Sequence, residues 1–287
     1  MHIKRIPSTG LIAFTAGMMI FSNVNLSAQT PVPAGEPTNA DEAAAKKAAE
    51  ARELIAKFAA WKSSLPEKQQ AWETVLESNL GNFYLPLYQK DKIKTPPTPT
   101  AWDYLEDDAK LPRVLLIGDS VSRGYTLATR AALKGKANVH RAPENCGPTA
   151  NGLKKLDIWL GEGKWDVIHF NFGIHDRATP NEEYLVRLKQ IVERLKKTGA
   201  KVIWATTTPI PPDTKDGPKA TESIEEKNRI ALELMKSEGV AIDDLYAFIL
   251  PQLGTVQNPK DVHFTAQGYE LLGGQVAQSV IGVINAK

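Results

Sequence analysis

Apolar residues recur at two different periods along the chain, and the change of period marks its organisation. From Asp41 to about Trp61 the chain is rich in Ala, Lys and Glu. Leu54, Phe58 and Trp61 fall there at helical spacing, which predicts an amphipathic helix. Pro66 interrupts the pattern, and Ser64-Leu65-Pro66-Glu67 reads as a second helix start with proline near the first turn. Trp72, Val75, Leu76 and Leu80 form the second stripe, and Gly81 supplies its stop. Residues 82–112 mix prolines with aromatics and predict an ordered strap laid along a surface. Residues 41–112 thus read as a helical N-terminal extension. A coiled-coil or partner-binding role competes with this, but the helices are short for it.

From Arg113 onward short apolar runs alternate with helical patterns. Strands are predicted at Val114–Ile117, Ala137–Arg141, Asp166–Phe172, Lys201–Thr207 and Val240–Asp243. Helices are predicted at Ser122–Leu133, Gly152–Leu160, Asn181–Lys197, Thr221–Glu238 and Thr265–Asn285. Alternation of this kind implies an α/β domain over residues 113–287, with a parallel sheet covered on both faces. Ligands of such sheets sit beyond the carboxyl ends of the strands. Ser120 falls there, and so does the loop after Phe172.

Composition changes this picture mainly at the N-terminus. Residues 1–28 carry Lys4 and Arg5, then an apolar stretch from Leu11 to Phe21, then Leu26-Ser27-Ala28 before Gln29. This predicts a cleaved export signal, with no stable membrane insertion afterwards. Residues 29–40, rich in Pro, Thr, Ala and Gly, read as a flexible leader. Formal net charge is +2, and the two basic residues of the signal account for it. The remainder is neutral and has no nucleic-acid footprint. Cys146 is the only cysteine, so an exported form relies on its core rather than on disulfides.

The stretch Arg113–Thr126, RVLLIGDSVSRGYT, places a small hydroxyl where a strand ends and a helix opens. Ser120 there is either an N-cap or a nucleophile whose own N–H belongs to the unpaired donors of the helix start. A nucleophile needs a base. His140 and His169 fall within strands and read as structural. His263 lies in a polar loop before the last helix, in DVHFTAQGYELLG, with Thr265 as its cap. Asp261 stands two residues earlier and could orient it. The G-x-S-x-G elbow is absent, because Ser122 occupies the position of its second glycine.

Four blocks in order carry a resemblance. GDS at Gly118–Ser120, NCGPTANGL at Asn145–Leu153, GIHD at Gly173–Asp176 and DVHFTAQGY at Asp261–Tyr269 resemble those of the SGNH (GDSL-type) hydrolase superfamily. The resemblance implies a three-layer α/β/α, flavodoxin-like fold. It implies Ser120 as nucleophile and first oxyanion donor, the Gly147 N–H as second donor and His263 as base, oriented by Asp261. Two positions depart from the pattern. His175 stands where the family has Asn, and is expected to be the third oxyanion donor, with Asn171 or a water as the alternative. The family's acid usually lies three residues before the histidine, where this chain has Lys260, so a Ser–His dyad competes with the triad. Asp119 and Asp176 are expected to brace loops, Arg123 and Arg177 to flank the site, and Asn228 to bond the Pro-rich loop after the fourth strand.

The expected protein is an exported serine esterase, periplasmic or extracellular, acting on small-molecule or polysaccharide esters, with O-acetyl groups on carbohydrate favoured. It needs no cofactor and no metal, since His175 and Asp176 have no further ligands at telling spacing. Lysophospholipase or thioesterase activity is the alternative, and a non-catalytic domain that binds glycans or a partner is a second.

Overall fold

Side chains alternate faces along a strand, so a run such as Val114-Leu115-Leu116-Ile117 must be covered from both sides. The structure, a computed structural model, describes residues 39–215 and 217–286. Five strands, β1 (Arg113–Ile117), β2 (Asn138–Arg141), β3 (Val167–Phe170), β4 (Lys201–Ala205) and β5 (Ala241–Asp243), form one parallel sheet in the order β2-β1-β3-β4-β5. This is the flavodoxin-like order, with a topological switch at β1 and β3.

Val114 and Leu116 face one core, with Val121, Leu272 and Val276; Leu115 and Ile117 face the other, with Leu156, Leu188 and Ile191. The first core lies under α4 (Ser120–Ala132) and α10 (Ala266–Asn285). The second lies under α5 (Thr149–Leu160) and α6 (Asn181–Lys196), with Ile230 and Met235 of α7 (Pro218–Ser237). Helix α10 meets α4 very closely. A Cβ on Gly124 would lie 2.0 Å from the Tyr269 ring, and one on Gly273 would lie 2.5 Å from Ala128 Cβ. This contact fixes the loop before α10 against the helix that Ser120 opens.

Three helices precede the sheet, α1 (Asn39–Ser63), α2 (Glu67–Asn79) and α3 (Gly81–Lys92). Residues 48–286 belong to one compact unit, apart from the start of α1. Phe58, Leu76, Leu80, Tyr88 and Trp102 form the extension's own core. The strap after α3 is tied to β2, which is an edge strand, and to α4. Asp108 N–H donates to Asn138 Oδ1 (3.0 Å), Asp107 bonds His140 Nε2 (2.6 Å), and Arg130 donates to the Thr100 carbonyl (3.2 Å). The otherwise open edge is thus covered.

Two regions differ from the sequence expectation. Helix α3 occupies the first part of the predicted strap. Gly81, at φ +68°, ends the α2 pattern and is also the first residue of α3, and Pro86 within α3 forgoes only one helical hydrogen bond. Between β5 and α10, where no element is predicted, lie two short helices, α8 (Leu245–Ile249) and α9 (Leu253–Val256). The predicted export signal and all but the last two residues of the leader lie outside the described residues; Asn39 and Ala40 open α1. Among the described residues, no helix is long and apolar enough to cross a membrane.

Candidate active site

Strand β1 delivers Gly118-Asp119-Ser120 to the carboxyl edge of the sheet, and α4 begins at Ser120. The N-cap is Asp119, not Ser120. Its Oδ1 accepts from the N–H groups of Val121 (2.9 Å) and Ser122 (3.4 Å). The capping reading of Ser120 is thereby corrected: a carboxylate one residue earlier, in extended conformation, reaches the unpaired donors first and leaves the Ser120 hydroxyl free. The turn is gripped from below by Arg141, at the end of β2 and 2% exposed. Arg141 Nη2 donates to the carbonyls of Gly118 (2.9 Å) and Asp119 (2.8 Å), and Nη1 donates to Ser122 Oγ.

The second half of the site comes from the loop before α10. Asn258-Pro259-Lys260-Asp261 forms a turn in which the Asp261 N–H donates to the Asn258 carbonyl (3.2 Å). Proline stands second and a left-handed residue third, as in a type II turn, and Lys260 takes φ +57°. The Asn258 N–H then reaches back to the His263 carbonyl (2.9 Å), and Thr265 caps α10 through the Gly268 N–H (3.2 Å), as predicted. This curl sets Asp261 against the imidazole despite its short spacing. His263 Nδ1 lies 2.8 Å from Asp261 Oδ1, and His263 Nε2 lies 2.8 Å from Ser120 Oγ. Burial opposes the charge on Asp261, but hydrogen bonds from the His263 ring and from the backbone N–H groups of His263 and Val262 outweigh it. They hold its carboxyl below the ordinary range.

Gly147 sits in the loop after β2 at φ +65°, a conformation that favours glycine. The preceding residue anchors it beside the nucleophile turn, since the Cys146 N–H donates to the Gly118 carbonyl (3.1 Å). Asn151 Nδ2 bonds the Cys146 carbonyl and Glu144, each at 2.9 Å. His175 lies exposed in a single 3₁₀ turn, Ile174–Asp176, and lines the same cavity as Ser120 and His263. Its neighbour Asp176 is fully buried and accepts from the Thr149 N–H (2.8 Å) and hydroxyl (2.7 Å), which ties this turn to the start of α5. Asp119 and Asp176 therefore brace loops, as expected. Asn171 is occupied elsewhere, because its amide donates to the Ala205 carbonyl (2.7 Å) and the Thr207 hydroxyl (3.1 Å).

The cavity measures about 680 Å³, and its lining includes Thr214 and Lys215 of the Pro-rich loop, Arg177, Asn145, Lys260 and Tyr84. Asn228 bonds both the N–H and the carbonyl of Thr207, at 2.8 Å each, and so holds the base of that loop. Arg123 turns away to stack over Tyr84 (5.4 Å) and Trp102 (5.9 Å). Cys146 is buried, and burial pushes its thiol up to about 12, so it offers no thiolate. Buried His169 bonds Asp243 (3.0 Å), away from the cavity lining. Among the described residues, no group of three or more His, Cys, Asp or Glu side chains is placed to hold a metal.

Sequence reasoning missed three residues of this neighbourhood. Tyr84 arrives from α3, through packing between distant segments. Arg141 closes a four-residue strand, and nothing in the strand pattern distinguishes it from a solvated arginine. Asn145 stands inside a recognised block, and that adjacency was the one available signal.

Comparison with known proteins bears on the family and the fold. The family model for GDSL-like lipase/acylhydrolases matches residues 116–271. Similar solved structures include a lipase/acylhydrolase from Enterococcus faecalis, 21% identical with a TM-score of 0.54, covering 60% of this chain and 96% of that one. The acetyl xylan esterase AlAXEase is 16% identical with a TM-score of 0.52, covering 58% of this chain and 99% of its own. Axe2, an acetylxylan esterase from Geobacillus stearothermophilus, is 16% identical with a TM-score of 0.50, covering 61% and 95%. These likenesses show the fold. No curated protein sequence matches the chain.

Proposed function

The chain belongs to the GDSL-like lipase/acylhydrolase family and is a carboxylic ester hydrolase, and we propose that it is an exported serine esterase removing small acyl groups, chiefly O-acetyl, from carbohydrate. The observation that carries the mechanism is the continuous relay Ser120–His263–Asp261, with both links at 2.8 Å. Asp261 accepts a hydrogen bond from the Nδ1–H of His263, which leaves Nε2 as the acceptor facing the hydroxyl. Ser120 Oγ attacks the ester carbonyl as its proton passes to Nε2. The developing oxyanion is met by the N–H groups of Ser120 and Gly147 and by the His175 ring. Collapse returns the proton from His263 to the departing alcohol and leaves an acyl-Ser120. Water, deprotonated by the same histidine, then releases the acid.

Two things support acetylated carbohydrate as substrate. Two similar folds belong to proteins named acetyl xylan esterases. The lining around Ser120 also sets the polar side chains of Asn145, His175, Thr214, Lys215 and Lys260 among the apolar surface of Tyr84, Ile174 and Val262, and this mixture suits a hydroxylated alcohol. Export rests on the pattern of residues 1–28. The expected result is acetate release from acetylated xylo-oligosaccharides at a higher kcat/KM than hydrolysis of lysophospholipids or acyl-thioesters. Preference for a long-chain lysophospholipid would replace the carbohydrate substrate. Absence of turnover on every acyl ester would leave a binding-only domain.

The histidine in the third block gives a separate test. An Asn amide always donates, whereas a neutral imidazole donates from one nitrogen only. His175→Asn is therefore expected to keep most activity, while His175→Ala loses about 10²–10³ in kcat. Equal kcat for the two variants removes His175 from the oxyanion hole.

A further inference from the structure

Helix α3 lies wholly outside the family-matched span of residues 116–271, yet it contributes Tyr84 to the cavity that holds Ser120 and His263. The ring is held from three sides. Trp102, 4% exposed in the extension's core, meets it edge-on at 5.3 Å between centroids. Phe83 meets it at 4.8 Å with the rings perpendicular, and the Arg123 guanidinium, one turn along α4 from Ser120, lies 5.4 Å away. The Tyr84 hydroxyl makes no hydrogen bond to any described residue. Phe83 is 72% exposed, and Leu87, one turn further along α3, is 49% exposed. An apolar surface therefore runs from the cavity wall out to solvent, carried by a segment outside the family-matched residues.

We propose that Tyr84 is a specificity-determining residue: its ring receives the C–H face of the pyranose that bears the ester, and its hydroxyl bonds a sugar hydroxyl. Exposed Phe83, set perpendicular to Tyr84, offers a second apolar contact to a neighbouring sugar. A pyranose presents one apolar face and a rim of hydroxyls, and this cavity pairs an aromatic wall with polar side chains, Asn145, Thr214 and Lys215 among them, beside the apolar Ile174 and Val262. The assignment rests on the ester-cleaving reading of Ser120 and His263 for its purpose, but its geometry is that of a binding surface and can be measured without turnover.

The test is calorimetric titration of an acetylated xylo-oligosaccharide into Ser120→Ala protein, with and without changes at Tyr84. Ser120→Ala is expected to bind it. Adding Tyr84→Ala weakens binding about tenfold, Tyr84→Phe by less, and Phe83→Ala by a few-fold for longer oligosaccharides. In otherwise wild-type protein, Tyr84→Ala lowers kcat/KM for the oligosaccharide about tenfold relative to ethyl acetate, through KM. No binding, a Kd indifferent to Tyr84, or an equal fall on both esters overturns the assignment. Turnover of ethyl acetate reports on the esterase reading separately, and retained binding in Tyr84→Phe shows that the site is folded.

Discussion

Ser120→Ala protein gives no burst of p-nitrophenol from p-nitrophenyl acetate, and its kcat falls by roughly five to six powers of ten, to the level supported by the oxyanion donors alone. The loss is this large because no neighbour can stand in for the hydroxyl. Ser122 Oγ accepts from buried Arg141, and Cys146 is buried with its thiol pushed up to about 12. The melting temperature is expected to stay close to wild type, because the cap of α4 is Asp119. Activity and folding are thus separable at this position, and circular dichroism together with the burst assay reads both. A variant that keeps more than a tenth of wild-type kcat would place the nucleophile elsewhere.

Asp261→Asn is expected to cost about ten-thousand-fold in kcat, with little change in KM. The Asp261 carboxylate accepts from His263 Nδ1 and from the His263 N–H, so it fixes both the tautomer and the ring plane. An amide in its place can turn its NH₂ toward the ring and leave Nε2 protonated, unable to accept the Ser120 proton. Because its hydrogen bonds hold the Asp261 carboxyl below the ordinary range, its charge persists further into acid than that of an unpaired aspartate. Steady-state kinetics on the variant discriminate cleanly. Unchanged turnover would mean that a Ser–His dyad is sufficient and that the 2.8 Å contact only positions the loop.

The sheet was legible because strands buried on both faces leave uninterrupted apolar runs, and because the turn after Ile117 carries three consecutive block residues. His263 was legible from its loop, where no local pattern calls for an imidazole. Asp261 was legible as a candidate orienter, but its spacing, one short of the family's, left a Ser–His dyad in competition. The turn that closes that gap includes the left-handed Lys260, and a lysine does not announce a positive φ. Helix α3 was hidden by Gly81 and Pro86, two residues that ordinarily punctuate helices. Tyr84 and Arg141 were hidden for a different reason. Each acts through contacts with segments far away in the chain, and residue pattern encodes local periodicity far better than such meetings.

The curl at Lys260 also redistributes duties along the motif. With the acid one place nearer the histidine, position 260 no longer has to orient an imidazole. Its side chain is instead an ammonium in the cavity wall, in company with Lys215. The same shift in spacing therefore alters the doorway: what the chain gives up in a standard acid position it gains as one more charge at a threshold of mixed sign, where Lys260, Lys215 and Arg177 stand with Asp213.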